Sequence, residues 1–322
     1  MSAPTAVPRR PVLLLVDIEP DLRRTRAGEG GWEGTRAALP CIARLRRELE
    51  AATDTRVVFN WFFRLDPQIR DTWGRADWVA EACPELLRSI AEHGDACGIH
   101  PHLWSFDSRR ADWRNAFGEP EWTQECLATS VAAFERLFGE PPMACRFGDR
   151  WLDDDAVRRI REAGLRFDLT VEPGLPATRL ADDPGATRLP DTRRAPREPW
   201  RPAPGDYLRP LAGELRADDL WMLPLTCSPP VWRLVRRPPY LMRASWPPNL
   251  ALASARIWPF LAAELDRPTR APLVLVFRAG DFAQPRFAAN FRRTAAALAR
   301  HPALARCSFT DPPHALASFL AA

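Results

Sequence analysis

Short unbroken apolar runs alternate with stretches of helical periodicity along most of this chain, and that rhythm constrains the fold more than any other feature. Residues 12–16, Val-Leu-Leu-Leu-Val, lack the polar alternation of a half-solvated strand and read as a strand buried on both faces. Residues 35–49 then carry Leu39, Ile42, Leu45 and Leu49 at helical spacing, and 56–63 read as a second buried strand. The pattern continues with a helix at 78–93, a short strand at 96–99, a helix at 123–138 and a strand at 143–147. Asp153 is placed to cap a helix running to Ala163, Gly164 to end it, and 166–170 to form the next strand. This alternation predicts an α/β fold with a mostly parallel sheet, open or closed into a barrel, whose chemistry sits where strands end and loops begin.

Between 172 and 248 proline and arginine become frequent, yet Trp200, Tyr207, Trp221, Trp232 and Trp246 are interspersed and 220–225 looks like a strand. We therefore expect an ordered insertion rather than a linker. The rhythm resumes with a strand at 273–277, a helix at 286–298, a short strand at 307–310 and a terminal helix from His314. The expected organisation is a flexible tail over residues 1–10 and a single domain over 11–322.

Charge and cysteine usage exclude several function classes. The 45 basic and 41 acidic residues leave a net charge of +4 with no clustered basic stripe, which argues against a nucleic-acid partner. The chain has no lysine, so a lysine nucleophile or Schiff base is excluded. Seven cysteines, an odd number without a Cys-x-x-Cys pair, suggest neither a disulfide framework nor a Cys-only zinc site. The 12–16 run is too short for a signal segment, and nothing approaches the roughly 20 apolar residues of a membrane span. A cytoplasmic protein without a membrane partner is expected, and no signal bears on oligomeric state. The glycine-rich nucleotide loops and the Gly-x-Ser-x-Gly elbow are missing as well.

Polar residues gather at the predicted strand ends. Asp17, Glu19 and Asp21 alternate after the first strand, so in extended chain the three carboxylates share one face, with Pro20 able to bend the last away. His100 and His102 repeat that spacing after the strand at 96–99. Imidazole and carboxylate together suit zinc or a similar divalent ion, and a catalytic site needs three protein ligands plus an open position. Arg146 ends a strand where it can orient a catalytic carboxylate, while Arg64 and Asp66 lie at the same edge and could line the cleft. Trp61, Trp104 and Trp151 are candidates to stack on a sugar ring.

Three segments, Val16-Asp17-Ile18-Glu19-Pro20-Asp21, Cys97-Gly98-Ile99-His100-Pro101-His102-Leu103-Trp104 and Cys145-Arg146-Phe147-Gly148-Asp149-Arg150-Trp151, together resemble the polysaccharide deacetylase superfamily, carbohydrate esterase family 4. The following stretch, through Asp153-Asp154, Ala163-Gly164-Leu165-Arg166-Phe167-Asp168 and Pro173-Gly174, extends the resemblance to about residues 11–175. It implies a distorted (β/α) barrel of about seven units and removal of acetyl groups from sugars, with a divalent metal ion, zinc, as cofactor and a small carbohydrate or amide as substrate. By motif, Asp17 matches the general base, Glu19 or Asp21 the metal carboxylate, His100 the first metal histidine and Arg146 the arginine that orients the base. Two departures stand out. Trp104 occupies the usual position of the second histidine ligand, leaving that role to His102. The strand at 273–277 is followed by Arg278-Ala279-Gly280-Asp281 rather than by a proton-donating histidine, so leaving-group protonation falls to Asp281, to solvent or to nothing. The leading expectation is a metal-dependent deacetylase. The alternatives are a catalytically degenerate member that binds carbohydrate or a partner, and hydrolysis of another C–N bond.

Overall fold

The computed structural model describes residues 9–321 except 27, 29–30, 180–187, 215, 217–218, 237–238, 248 and 253; most of the expected tail over 1–10 lies outside them. In chain order the elements are β1 (Arg10–Ile18), α1 (Glu33–Thr53), β2 (Phe59–Phe63), α2 (Pro67–Trp73), α3 (Val79–Ala82), α4 (Pro84–His93), β3 (Ala96–Ile99), the hairpin β4 (Trp104–Asp107) and β5 (Asp112–Asn115), α5 (Pro120–Phe138), β6 (Ala144–Cys145), α6 (Asp154–Glu162) and β7 (Phe167–Asp168). There follow β8 (Pro202–Ala203), β9 (Asp206–Pro210), β10 (Trp221–Met222), β11 (Val231–Arg236), β12 (Pro239–Ala244), α7 (Ser254–Asp266), β13 (Leu273–Arg278), α8 (Pro285–Ala299), β14 (Cys307–Phe309) and α9 (Pro312–Leu320).

An eight-stranded sheet in the order β10-β7-β6-β3-β2-β1-β13, with β14 beside the start of β1, curls into a half-barrel surrounded by helices. All its ladders are parallel, as the βα rhythm requires. Side-chain alternation sorts the strands into two cores. Leu13, Leu15, Phe62, Ala144, Phe167, Val274 and Val276 fill the interior, whose lower end is packed by Ala315 and Leu316 of α9. Val12, Leu14, Val16, Phe59, Trp61 and Phe63 face the helices. Fully burying one such side chain is worth about 1.5–3 kcal/mol.

The interior face of β1 runs Leu13, Leu15, Asp17, so the barrel becomes polar at its upper rim. The backbone ladder continues past the strand ends there. Arg64 N donates to Ile18 O (2.9 Å), His100 N to Phe63 O (2.7 Å), Arg146 N to Ile99 O (3.0 Å) and Gly148 N to Pro101 O (2.9 Å). Those bonds place the site's residues on rigid backbone rather than on free loops. Part of the 172–248 segment joins the barrel, because β10 pairs with β7, and Thr226 N reaches Val274 O of β13 at 3.1 Å. No helix among the described residues is long and apolar enough to cross a membrane, and all seven cysteines are free.

Candidate metal centre

The rim of the barrel holds one buried cluster in which Glu19, His100 and His102 offer ligand atoms within 4.8 Å of one another. The tautomers of both imidazoles follow from their partners. His100 Nδ1 lies 2.6 Å from the carbonyl oxygen of Arg146, which can only accept, so Nδ1 carries the hydrogen. His102 Nδ1 donates to Asp149 Oδ2 at 3.2 Å. Both Nε2 atoms are thereby left with lone pairs, yet they face each other at 3.2 Å, and His102 Nε2 lies 3.3 Å from Glu19 Oε2. Two lone pairs and a carboxylate oxygen converging at such range call for a proton or a cation between them. An N₂O set of this kind, with each imidazole anchored through its other nitrogen, is the donor chemistry of a divalent metal site.

The surrounding groups fix this geometry. Asp66, the N-cap of α2, accepts from Gln68 N (3.0 Å) through one oxygen and from His102 N (2.9 Å) and Arg64 Nε (2.9 Å) through the other. Arg64 is fully buried and lies 3.7 Å from Glu19. Arg278 Nε ion-pairs with Glu19 at close range, and its Nη2 donates to Pro20 O. Burial alone would raise the Glu19 carboxyl, but Arg278 and the two imidazoles more than offset it and hold the group well below its ordinary range. Burial keeps His100 below its ordinary value. It would do the same to His102, but the Asp149 and Glu19 charges raise that group. Asp149 is held at about 2, since His102 and Arg23 outweigh its burial.

Asp17 is held from the opposite side. Arg146 Nε lies 3.0 and 3.2 Å from its two oxygens, while Arg146 Nη1 donates to Leu169 O (3.0 Å). Asp17 Oδ2 is 4.0 Å from His100 Nε2. Beside it a cavity of about 280 Å³ is lined by Asp17, Glu19, Arg23, His100, His102, Arg146, Phe147, Asp149, Arg150, Glu172, Leu189 and Arg278. Glu172 lies 3.9 Å from Arg146, and burial raises its carboxyl. A larger, mainly apolar cavity of about 540 Å³ lies away from this cluster, among α4, α5 and the start of α9.

Of the residues read from the sequence, Asp17, Glu19, His100, His102 and Arg146 come together and the others do not reach the cavity. Pro20 turns the chain, so Asp21 leaves the acidic face and caps α1, accepting from Glu33 N (3.1 Å) and Gly34 N (3.0 Å). Its burial and the neighbouring Glu33 push its carboxyl up to about 7. Arg64 and Asp66, fully buried, hold His102 and Glu19 instead of lining the cleft. Trp61 faces the helix layer and donates to Asp95 Oδ2 (2.8 Å), because its strand position is of opposite parity to Phe62. Trp104 is buried behind the site with its Nε1 on Asp149 (3.0 Å), and Trp151 stacks on Phe117 with ring centroids 4.7 Å apart. Asp281 pairs with Arg278 at 3.7 Å and is outside the cavity lining.

Asp149, Arg150, Glu172 and Arg278 are site residues that motif reading passed over. The carboxylate and guanidinium chemistry at the same strand edges was the available signal. Gly148 is another: a Cβ there would overlap the His102 ring, so only glycine lets the β6 loop approach so closely.

No family model matches the sequence, and no curated protein matches it. Solved structures do share its fold. A provisionally assigned polysaccharide deacetylase from Mycobacterium smegmatis superposes with a TM-score of 0.51 at 15% identity, covering 100% of this chain and 93% of that one. A provisionally assigned glycoside hydrolase/deacetylase from Parabacteroides distasonis gives a TM-score of 0.58 at 12% identity, covering 95% and 70%. At these identities the likeness shows that the chain shares their fold.

Proposed function

We propose that this protein is a metal-dependent hydrolase that removes an acetyl group from an N-acetylated sugar or a related amide. The observation that carries this reading is the pair of facing Nε2 lone pairs beside Glu19, set next to a carboxylate gripped by an arginine. Glu19, His100 and His102 would hold a divalent ion, zinc by donor type. When bound, such an ion lowers the pKa of water from about 15.7 to about 7 and polarises a carbonyl. Asp17 accepts the proton of the attacking water at Oδ2, the oxygen nearer His100. Arg146 keeps that carboxylate in one orientation through Nε while Leu169 O fixes the guanidinium.

Protonation of the leaving amine falls to Glu172. It lines the cavity, and burial raises its carboxyl against the opposing charges of Arg146 and Arg150, the direction a general acid needs. Asp281 is less well placed, since its partners are Arg278 and Asn249. A positioned acid contributes about 10²- to 10⁴-fold, so a Glu172→Gln variant tests this assignment through its rate.

The hydrolase reading is tested by purifying the protein, measuring bound metal and following acetate release from N-acetylhexosamines with and without a chelator. Stoichiometric metal and chelator-sensitive release are expected. A metal-free wild type whose release is unchanged in His100→Ala would reject it. Arg278, at a strand end where the resembled family has a histidine, favours a second reading as a non-catalytic carbohydrate-binding protein. Sugar binding that survives Asp17→Asn, with no acetate ever released, would select that reading.

A further inference from the structure

We infer that the cleft selects substrates carrying an oxyanion, a carboxylate or a phosphate, and that Arg150 is the residue that reads it. This rests on the proposed hydrolase reading only for the acetylated amine that accompanies the anion.

Four arginines line the cavity, and three are engaged by its carboxylates. Arg146 holds Asp17, Arg278 holds Glu19, and Arg23 Nε lies 3.2 Å from Asp149. Arg150 differs. Its Nη2 donates to Thr178 Oγ1 at 2.6 Å and to Pro176 O at 3.4 Å, whereas its Nη1 is buried with no hydrogen-bond partner. Thr178 is itself tied down, since its carbonyl accepts from Leu189 N at 2.6 Å. The guanidinium is thus held at one nitrogen and left with a donor at the other. A buried donor without an acceptor costs about 1–3 kcal/mol, more when charged, and a ligand that supplies the acceptor recovers it.

The backbone supports the same reading. Asp149 and Arg150 both have φ of 52°, two consecutive non-glycine residues in the left-handed region, at about 1–3 kcal/mol each. The turn sends Asp149 back to His102 and brings Arg150 to the cavity.

Charge points the same way. Four arginines face four carboxylates in the lining, so a bound divalent ion would make the cleft net positive and favour an anionic ligand. Glu172 is the carboxylate whose charge acts most on Arg150, and burial raises its carboxyl although Arg146 and Arg150 oppose this. The unpartnered Nη1 can donate to one oxygen of an anion, a charge-assisted bond stronger than one to a neutral acceptor. A cavity of about 280 Å³ is near the lower end for ligand sites, which suits a single sugar unit.

Calorimetric titration of the zinc-loaded protein with N-acetylglucosamine, its 6-carboxylate (the uronate) and its 6-phosphate tests this. At least one anion should bind about tenfold or more tightly than the neutral sugar at low salt, and the preferred one names the substituent. The preference should shrink with added salt and fall to near unity in Arg150→Gln. Equal affinity for all three ligands, or an anion preference that survives Arg150→Gln, would overturn the inference. If Arg150→Gln does not fold, Arg150→Lys replaces it: a reduced preference that keeps its salt dependence is expected, and an unchanged preference overturns the inference. Arg150-dependent anion preference with no acetate released from any ligand would reject the hydrolase and keep the oxyanion site. Acetate release at equal rates and affinities for all three would do the reverse.

Discussion

The two walls of the barrel are built differently. On one side β1, β2 and β3 pair over long registers, five residue pairs between β1 and β2 and four between β2 and β3. On the other, β6, β7 and β10 are two-residue strands, joined by two pairs each. Side chains supplement the short ladders. Thr170 Oγ1 donates to Asp168 (2.7 Å) and accepts from Phe147 N (2.8 Å), while Cys145 Sγ reaches the same carboxylate at 3.4 Å. The first wall supplies Glu19, His100 and His102; the second supplies Arg146, Asp149, Arg150 and Glu172. The difference teaches that Glu19, His100 and His102 follow directly on long-registered strands, whereas Arg146, Asp149, Arg150 and Glu172 depend on a polar network that single substitutions can loosen.

The largest effect should come from the first wall. His100→Ala is expected to reduce bound zinc from one per chain to near zero and acetate release by about 10³-fold or more, measured by elemental analysis and a coupled acetate assay. Asp149→Asn crosses between the walls, because a second-wall residue there anchors a first-wall ligand. Zinc affinity should fall about 10- to 100-fold without disappearing, and a competition titration against a chromophoric chelator reads it. Were that loss as complete as in His100→Ala, the division of labour would be wrong.

A substitution confined to the second wall should spare the metal. Thr170→Val leaves the buried Phe147 N–H without its acceptor, so unfolding free energy should drop by about 1–3 kcal/mol in urea titrations, with zinc content unchanged.

An effect of comparable size concerns pH. Burial raises Asp168 from 3.8 to about 6 in the folded protein. A carboxyl raised on folding favours the native state fully below its unfolded value and loses that contribution as pH rises through the folded one. Wild-type stability should therefore fall relative to Asp168→Asn between about pH 4 and pH 6, and parallel stability–pH curves for the two would contradict it.

The same contrast explains what the sequence made legible. The first wall was readable because 12–16 and 96–99 are runs whose strands form where composition places them. The second was overread. Strands expected at 143–147 and 166–170 shrink to Ala144–Cys145 and Phe167–Asp168, with single backbone bonds such as Arg146 N to Ile99 O and Leu169 N to Cys145 O continuing past them. The helix expected at 78–93 breaks at Pro84 into α3 and α4, and α7, with Pro259 inside it, carried no clear start signal. In the site, alternation after a strand correctly grouped Asp17 with Glu19 and His100 with His102, and failed for Asp21 once Pro20 turned the chain. Asp149 and Glu172 escaped notice because their roles arise from the β6 and β7 turns, whose backbone no spacing rule encodes.

Anomalous diffraction at the zinc edge, from crystals of the zinc-loaded protein, puts the ligand set to the sharpest test. One strong peak is expected about 2.0–2.3 Å from His100 Nε2, His102 Nε2 and a Glu19 oxygen. A map with no density there, with the two Nε2 atoms still within hydrogen-bonding distance of each other, would contradict it.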